Sequence, residues 1–328
     1  MSIKFFDMFA GIGGFCSGLE AIGGFECVGY CEIDKYAKQA YEAIYDTGGE
    51  LYFDDARKIV PEQLPDFDLL VGGFPCQSFS VAGARKGFDD IRGTLFFKIA
   101  RIAAVKKPKY LFLENIPGLL NHDEGRIFET ILRTFDGLGY NVCWQVLNIK
   151  NFGLLIKAKT KDGYQVAYPG DSIDTAFSGE NSRRGRVGNQ IAYTLTTSAT
   201  QAYYFIDLNP DPKLTEIARC ITARHDSGIS NHKAEHSGVF VENSVVLDDD
   251  EKFAVAFVEL NGEIHIGRIR KLTPRECWKL QGFTDDQFDK AKATGLSDSR
   301  LYKMAGNAVT VNVIAEIGKI IKIVNDKN

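Results

Sequence analysis

Short apolar runs alternate with amphipathic stretches along the first 150 residues of the chain. The apolar runs predict buried strands, at residues 3–6, 25–31, 68–71, 110–115 and 141–149, with one more short strand just before Asp54-Asp55. Apolar residues at helical spacing predict the elements between these strands, at residues 15–22, 35–44, 94–104 and 125–138. Repeated strand–helix units of this kind predict an α/β fold with a doubly wound, mostly parallel sheet.

The pattern changes after residue 150. Residues 151–268 are rich in Gly, Ser, Thr, Asn and Asp and hold short β-like pieces, two of which, 192–197 and 218–224, resemble each other. This composition predicts a smaller β-rich domain inserted into the chain. Helical order returns near Thr273-Pro-Arg-Glu276, a capping box, and an apolar helix over 311–324 is expected to pack back onto the first domain. We therefore predict three segments, 1–150, 151–268 and 269–328.

Composition narrows the class of protein without naming a function. The 328 residues are 45% hydrophobic and 25% charged, and no apolar run is long enough to cross a membrane. The seven cysteines are scattered and form no CxxC, which argues against a disulfide framework or a zinc ribbon. His232 and His236 lack the neighbouring Glu of a zinc protease, so no metal is expected. With no room for a signal peptide before the first strand, the expected location is the cytoplasm.

A net charge of -4 argues against a generally basic binder of polyanions, although a local basic face remains compatible with it. Such a face is predicted at one edge of the inserted domain, where cationic side chains suit contacts to phosphates and base edges. Its members are Arg183, Arg184, Arg186, Arg219, Arg224 and His225. A solvated loop face is the alternative interpretation of the same residues.

Candidate chemistry begins at Cys76, which follows the apolar run 68–71 through Gly72-Gly-Phe-Pro75. A thiol at the carboxyl end of a buried strand lies where α/β sheets place ligands. A buried structural cysteine is the alternative. Glu114-Asn115 ends another predicted strand, either as a helix cap or as a carboxylate and an amide facing the same pocket as Cys76.

A second candidate site follows the first strand. The glycine-rich segment Asp7 to Phe15 leads directly into a helix, a geometry that brings backbone amides close to a ligand. Glu32 closes the next strand about 20 residues later, where nucleotide-binding folds hold ribose hydroxyls. Asp54-Asp55 places further carboxylates at the same edge of the sheet.

Six motifs taken together resemble those of the cytosine-C5 DNA methyltransferases of bacterial and phage type. They are Asp7-Met-Phe-Ala-Gly-Ile-Gly-Gly-Phe15, Pro75-Cys-Gln77, Arg92-Gly-Thr-Leu-Phe96, Glu114-Asn115, Arg270-Lys-Leu-Thr-Pro-Arg-Glu-Cys-Trp278 with Gln281-Gly-Phe283, and Gly306-Asn-Ala-Val309. The resemblance covers most of residues 3–150 and 268–325. It implies an S-adenosylmethionine-dependent methyltransferase fold with a target-recognition domain inserted before the final motifs.

The resemblance also implies the roles of individual residues. Cys76 would be the nucleophile, and Glu114 would contact the ring nitrogen and exocyclic amine of cytosine. The cofactor site would consist of Asp7, Phe9, Ala10, Gly11, Gly13, Gly14, Glu32, Ile33, Asp55, Pro75, Leu95, Asn307, Ala308 and Val309. DNA contacts would come from Gln77, Ser80, Arg92, Asn115, Arg183, Arg184, Arg186, Thr196 and Arg224.

The implied reaction explains why these residue types are needed. C5 of cytosine is too electron-poor to attack a methyl group, and addition of a thiolate to C6 makes C5 nucleophilic. The base must be flipped out of the duplex to be reached, and the loop 78–92 would close over it. The expected partner is double-stranded DNA and the expected cofactor is S-adenosylmethionine, with no metal and no membrane. We expect a monomer in the cytoplasm of a bacterial or phage-infected cell.

One departure from the family pattern follows Asn151-Phe-Gly153. The family continues there with a Pro-Gln-x-Arg-x-Arg segment and an apolar strand, whereas this chain continues with Leu154-Leu-Ile-Lys157. Leu154 to Ile156 are a candidate replacement for the missing strand. Arg183, Arg184 or Arg186 are candidates to supply the guanidinium group that an arginine of the missing segment would have contributed. Two other functions therefore stay open, a catalytically impaired DNA-binding relative and an RNA cytosine-C5 methyltransferase.

Overall fold

The structure is a computed structural model that describes residues 2–74, 95–147 and 272–327 with their side chains, and between them the backbone of short strands within 154–271. The chain divides into two compact units. The first joins Met1–Asn148 with Ala308–Asn328, and the second is Ile149–Asn307. The domain boundaries predicted from composition stay a prediction.

The first unit is built on a five-stranded sheet in the order β3-β2-β1-β4-β5. Its strands are β1 (Ile3–Met8), β2 (Phe25–Cys31), β3 (Leu51–Phe53), β4 (Leu69–Gly73) and β5 (Tyr110–Glu114). Every neighbouring pair is parallel. The order reverses direction between β1 and β4, the point at which sheets of this kind open a crevice for ligands. The predicted doubly wound α/β fold is confirmed.

Eight helices are described along the chain. They are α1 (Gly14–Ile22), α2 (Lys35–Ile44), α3 (Leu95–Lys106), α4 (Arg126–Gly137), α5 (Pro274–Leu280), α6 (Asp285–Ala293), α7 (Asp298–Asn307) and α8 (Val311–Lys327). Short 3-10 turns lie at Pro61–Gln63, Pro117–Leu120 and His122–Gly125. None of the helices in the described ranges is long and apolar enough to cross a membrane.

The core of the first unit lies on both faces of the sheet. On one face Phe6 and Met8 of β1 pack in a cluster with Ile99 of α3 and Phe135 of α4. On the other face α1 and α8 approach closely, because a Cβ at Gly18 would lie 2.6 Å from the Cβ of Ile314. The prediction that the last helix packs onto the first part of the chain is confirmed.

The strand predicted over 141–149 is wrong for its described part, since residues 141–147 form no regular element. Three apolar side chains in this segment are exposed, those of Val142, Trp144 and Val146, with Trp144 exposed by 58%. The Trp144 ring still contacts the Phe128 ring edge-on, with 5.2 Å between the ring centroids. The alternation of apolar residues is typical of a strand, but a strand also needs a neighbour to complete its hydrogen bonds. Among the described strands, none pairs with the outer edge of β5.

The second unit is β-rich in its first part, as predicted. A five-stranded antiparallel sheet has the order β11-β10-β12-β14-β13, and two hairpins precede it. The strands are β6 (Leu154–Lys157), β7 (Tyr164–Ala167), β8 (Ser172–Asp174), β9 (Arg186–Gly188), β10 (Tyr204–Asp207), β11 (Leu214–Thr215), β12 (Ser237–Glu242), β13 (Val255–Leu260) and β14 (Glu263–Lys271). The two similar pieces predicted at 192–197 and 218–224 lie outside the described residues.

The candidate replacement strand Leu154 to Ile156 does form a strand, β6. It pairs antiparallel with β7 in a two-stranded sheet, so in the described ladders it is a hairpin arm and no member of the parallel sheet. The residues of β6 pair with residues between Tyr164 and Ala167, which closes a much shorter loop than the parallel sheet would require and favours the hairpin.

The helical end of the second unit begins as predicted. Thr273 caps α5, with both reciprocal bonds of the capping box to Glu276 present. Trp278 is fully buried, and its indole N–H donates to the Leu301 carbonyl at 2.9 Å. This bond fixes α5 against α7.

Candidate active site

The turn between β1 and α1 has an unusual backbone. Phe9, Gly11 and Gly13 all have positive φ angles, of 60°, 58° and 81°. Glycine adopts this region freely, whereas Phe9 is strained there, and such strain is concentrated at ligand sites. Gly13 is also the N-cap of α1. The predicted glycine-rich turn therefore leads into a helix N-terminus at the carboxyl edge of the sheet.

Glu32 ties this turn to the end of β2. Its carboxylate accepts a hydrogen bond from the Gly11 amide at 2.8 Å and from the Asp34 amide at 2.7 Å. Burial raises the pKa of Glu32, and these two amide bonds oppose that shift. Ile33, the next residue, is 68% exposed. A large apolar side chain open to solvent beside an anchored carboxylate suits one face of a planar ligand.

Asp55 follows β3 at the same edge. The Arg57 guanidinium donates to both carboxylate oxygens of Asp55 at 2.6–3.0 Å, and the Arg57 backbone amide donates to one of them at 2.9 Å. These bonds lower the pKa of Asp55 to about 2. Asp55 is therefore an ionised acceptor held in one orientation near neutral pH.

Glu114 and Asn115 end β5 beside the end of β4. Gly73 is the register partner of Glu114, and the Asn115 side-chain amide donates to the Phe74 carbonyl at 2.7 Å. Burial raises the pKa of Glu114, which favours its protonated form. Phe74 is separated from Cys76 by one residue, so Asn115 holds the backbone that leads into Cys76.

The remaining residues predicted for the cofactor site lie in separate segments of the chain. A Cβ at Gly14 would lie 2.5 Å from the Val309 carbonyl oxygen, so the segment after Ala308 passes directly against the start of α1. Leu95 is the first residue of α3, and Asn307 is the last residue of α7 in the second unit. The carboxyl ends of β1 to β5 thus gather the turn, Glu32, Asp55 and Glu114 at one edge of the sheet.

Several predicted residues lie outside the described part of the chain. These are Pro75, Cys76, Gln77, Ser80, Arg92, Arg183, Arg184, Thr196 and Arg224. Arg186 begins β9, for which the backbone alone is described. Among the side chains that are described, no group of three His, Cys, Asp or Glu residues could hold a metal ion.

Two buried polar residues are notable at the turn: Asp7, which the resemblance assigned to the cofactor site, and Tyr45, which the sequence did not indicate. Asp7 is fully buried, and neither of its carboxylate oxygens has a hydrogen-bond partner within the described part of the chain. Burial raises the pKa of Asp7 well above its usual range, and the nearby Glu32 and Glu50 raise it further. Asp7 therefore lies within the protein interior. Tyr45 is the other residue, and only its contacts in the fold reveal it.

Comparison with known proteins identifies the family. The family model described as C-5 cytosine-specific DNA methylase matches residues 3–155 and 173–323. Residues 156–172 are the interruption in that match, directly after the point where the Pro-Gln-x-Arg-x-Arg segment is missing from the sequence.

Two curated relatives align along nearly the whole chain. The Type II methyltransferase M.HhaI of Haemophilus parahaemolyticus is 33% identical over 317 residues, covering 96% of this chain and 93% of that protein. The Orphan methyltransferase M.SPRI of Bacillus phage SPR is 30% identical over 425 residues, covering 97% of each. Among solved structures, the S. pombe Dnmt2 methyltransferase has the same fold, with a TM-score of 0.59 at 15% identity, covering 99% of this chain and 100% of that one. The chain belongs to the C-5 cytosine-specific DNA methylase family and is a DNA cytosine-5-methyltransferase.

Proposed function

We propose that the protein transfers a methyl group from S-adenosylmethionine to C5 of cytosine within a specific sequence of double-stranded DNA. The observation that carries this proposal is the shared carboxyl edge of the parallel sheet. The glycine-rich turn, Glu32 and Asp55 lie at the ends of β1, β2 and β3, and Glu114 lies at the end of β5 beside the chain that leads to Cys76.

The described residues fit S-adenosylmethionine by their chemistry. Glu32 has two oxygens already oriented by amide bonds and retains lone pairs for ribose hydroxyls. Asp55 is ionised and can accept from the adenine amine, while the exposed Ile33 side chain offers an apolar surface to the adenine ring. Bound here, S-adenosylmethionine supplies the electrophilic methyl group.

On the other half of the edge, Cys76 and Glu114 would act on the base. The Cys76 thiolate adds to C6 of cytosine and breaks the C5–C6 double bond, whose electron pair shifts into C4–C5 so that negative charge develops at the ring nitrogen N3. Protonated Glu114 donates to the ring nitrogen and stabilises that charge, for which a pKa raised by burial is suited. After C5 accepts the methyl group, loss of the C5 proton restores the double bond and expels Cys76.

The position of Glu114 supports the proposal of base flipping. Glu114 is half-buried at the end of a strand, where a base stacked within a duplex cannot reach it. Extrusion of the cytosine into the pocket overcomes this. We further propose that the protein acts as a monomer on DNA in the cytoplasm of a bacterial or phage-infected cell.

The second candidate function is a catalytically impaired relative that binds DNA. It is favoured by the interruption in the family match after residue 155 and by the unpaired outer edge of β5 among the described strands. A lost contact to the flipped base would slow the reaction, because a buried acceptor left without a partner costs about 1–3 kcal/mol.

One experiment separates these functions. Bisulfite sequencing compares DNA from cells that express the unsubstituted protein with DNA from cells that express Cys76→Ser. Methylated cytosine should appear in one recurring sequence in the first sample and be absent from the second. Labelled S-adenosylmethionine presented with DNA or tRNA gives the complementary result in solution. Binding of DNA without methyl transfer would support the impaired relative, and labelling of tRNA alone would support the RNA enzyme.

A further inference from the structure

Tyr45 lies directly behind the glycine-rich turn. It is the residue that follows α2, it is buried, and its ring is packed against the backbone of Gly13. A Cβ built on Gly13 would lie 2.3 Å from Cε2 and 2.6 Å from the hydroxyl oxygen of Tyr45. The tyrosine therefore occupies the space that any side chain at position 13 would need.

The Tyr45 hydroxyl is hydrogen-bonded to the turn itself. It donates to the Gly13 carbonyl at 2.7 Å, and the Ile12 carbonyl lies 3.2 Å away. The hydroxyl also pairs with that of Ser17, one turn into α1. Either hydroxyl can be the donor in that pair. The result is a short chain of hydrogen bonds from α1 through Tyr45 to the turn.

The turn is consequently held at two points by one stretch of the chain. Glu32, at the end of β2, holds the Gly11 amide, and Tyr45, at the end of α2, holds the Gly13 carbonyl. Between these points the backbone has positive φ at Gly11 and Gly13. A glycine-rich segment has many alternative conformations, so two fixed points remove much of the freedom that ligand binding would otherwise have to restrict.

We propose that Tyr45 is a positioning residue for the methyl donor. Its hydroxyl fixes the turn in the form that accepts S-adenosylmethionine, and it does so without contacting the ligand. This inference rests on the proposed function, because it assigns the turn to that cofactor.

The test compares Tyr45, whose hydroxyl is hydrogen-bonded to the turn, with Tyr41, whose hydroxyl faces Cys27. Tyr45→Phe removes the hydroxyl that reaches the turn and keeps the ring against Gly13. Tyr41→Phe removes a hydroxyl from the same buried group, where Tyr41 faces Cys27 Sγ at 3.8 Å and its ring lies 4.7 Å from that of Tyr45. Both variants lose one buried hydroxyl, so both should show a similar loss in melting temperature.

The two variants should differ in cofactor affinity. Calorimetry with S-adenosylhomocysteine should show binding about 5- to 10-fold weaker in Tyr45→Phe, the effect of roughly one hydrogen bond, and unchanged binding in Tyr41→Phe. In the methylation assay Tyr45→Phe should raise KM for S-adenosylmethionine by the same factor and leave kcat nearly unchanged. Ser17→Ala should weaken binding in the same direction and add little to Tyr45→Phe, because both groups act in one chain of bonds.

Equal affinity in Tyr45→Phe and Tyr41→Phe would overturn the inference and leave Tyr45 as a packing residue. A fall in kcat without a change in KM would also overturn it. Failure of the proposed function would look different, since the unsubstituted protein would then not bind S-adenosylhomocysteine and Glu32→Ala would have no affinity to reduce.

Discussion

The two halves of the parallel sheet differ in how completely their carboxyl ends are bonded. Around β1 to β3, the turn, Glu32 and Asp55 are each fixed by hydrogen bonds from neighbouring backbone or side chains. Around β5, the outer edge has no paired strand in the described ladders, and apolar side chains beyond α4 are open to solvent. Among the described residues, the half suited to the methyl donor is closed by these bonds, and the half suited to the base has an unpaired strand edge, which makes it the open half.

This difference separates binding from turnover. A preorganised donor site predicts firm cofactor binding whatever happens at the other half. An open second half predicts that the slow step involves the base, where the family match is also interrupted. Affinity for cofactor and rate of methylation should therefore respond to different substitutions.

The largest expected effect belongs to the open half. Cys76→Ser should abolish methyl transfer while S-adenosylhomocysteine binding measured by calorimetry stays unchanged, because a hydroxyl is a far poorer nucleophile than a thiolate near neutral pH. A duplex containing 5-fluorocytosine should trap the unsubstituted protein covalently, since fluorine does not leave as the C5 proton does. Substantial turnover by Cys76→Ser would remove Cys76 from the mechanism.

The closed half should respond through affinity. Glu32→Ala should weaken S-adenosylmethionine binding by about 1–3 kcal/mol, the range for lost hydrogen bonds to a charged group. Glu26→Ala is a matched control at the far end of the same strand, where Glu26 is exposed and accepts from Ser2. If calorimetry gave the two variants equal affinity, Glu32 would be an anchor for the turn with no part in binding.

Restoring the missing segment should raise turnover. If its absence limits the reaction, grafting a Pro-Gln-x-Arg-x-Arg strand after Gly153 should raise the single-turnover rate about 10- to 100-fold, the equivalent of 1–3 kcal/mol in the barrier. Cofactor affinity should not change. A rate in the unsubstituted protein equal to that of the graft would indicate a substitute guanidinium, with Arg183, Arg184 and Arg186 the first to replace.

A smaller effect is expected at the junction of the two halves. Asn115→Ala removes the donor to the Phe74 carbonyl and should lower kcat roughly 5-fold, in keeping with one hydrogen bond. S-adenosylhomocysteine binding should be unaffected. Asn121, which lies between the 3-10 turns Pro117–Leu120 and His122–Gly125, provides a control substitution to Ala. Equal kinetics in the two variants would exclude a positioning role for Asn115.

The smallest effect is on stability and depends on pH. Burial raises the pKa of Glu50 from 4.5 to about 7 and that of Asp7 well above its usual range. Both groups hold a proton in the folded state that the unfolded chain releases at lower pH. Their contribution to stability is fully present only below the unfolded pKa values of 3.8 for Asp and 4.5 for Glu, and it is lost as pH rises, for Glu50 through its folded pKa of about 7. The melting temperature should therefore fall from pH 5 to pH 8.

Asp7→Asn should reduce this fall, because an amide cannot ionise. Its gain in melting temperature should be greater at pH 8 than at pH 5. A variant whose melting temperature differs from that of the unsubstituted protein by the same amount at both values would show that Asp7 does not titrate on unfolding.

The sequence predicted the closed half of the sheet well. The bounds of β2 and α2 agree with prediction to the residue, Phe25–Cys31 and Lys35–Ile44, because apolar periodicity is a local property of the chain. The bond between Glu32 and Gly11 was not predicted, although both residues were assigned to the same site. That bond depends on the parallel register of β1 and β2.

The open half was predicted less well, for a physical reason. The apolar residues Val142, Trp144 and Val146 alternate as in a strand. This sequence pattern, however, does not show whether the edge of another strand is available for pairing. Tyr45 was missed for a related reason, since its partner Gly13 is 32 residues earlier. The folded sheet decides both features.

The contact between α1 and α8 has a consequence for the order of synthesis. Gly14 and Gly18 are packed against Val309 and Ile314, which leave the ribosome only after the whole second unit has been made. Until then α1, which begins at the glycine-rich turn, lacks the contacts with α8 on one of its faces. A nascent chain would therefore contain the strands of the second unit before α8 can pack against α1, and the support of the glycine-rich turn would be complete only once translation has passed α8.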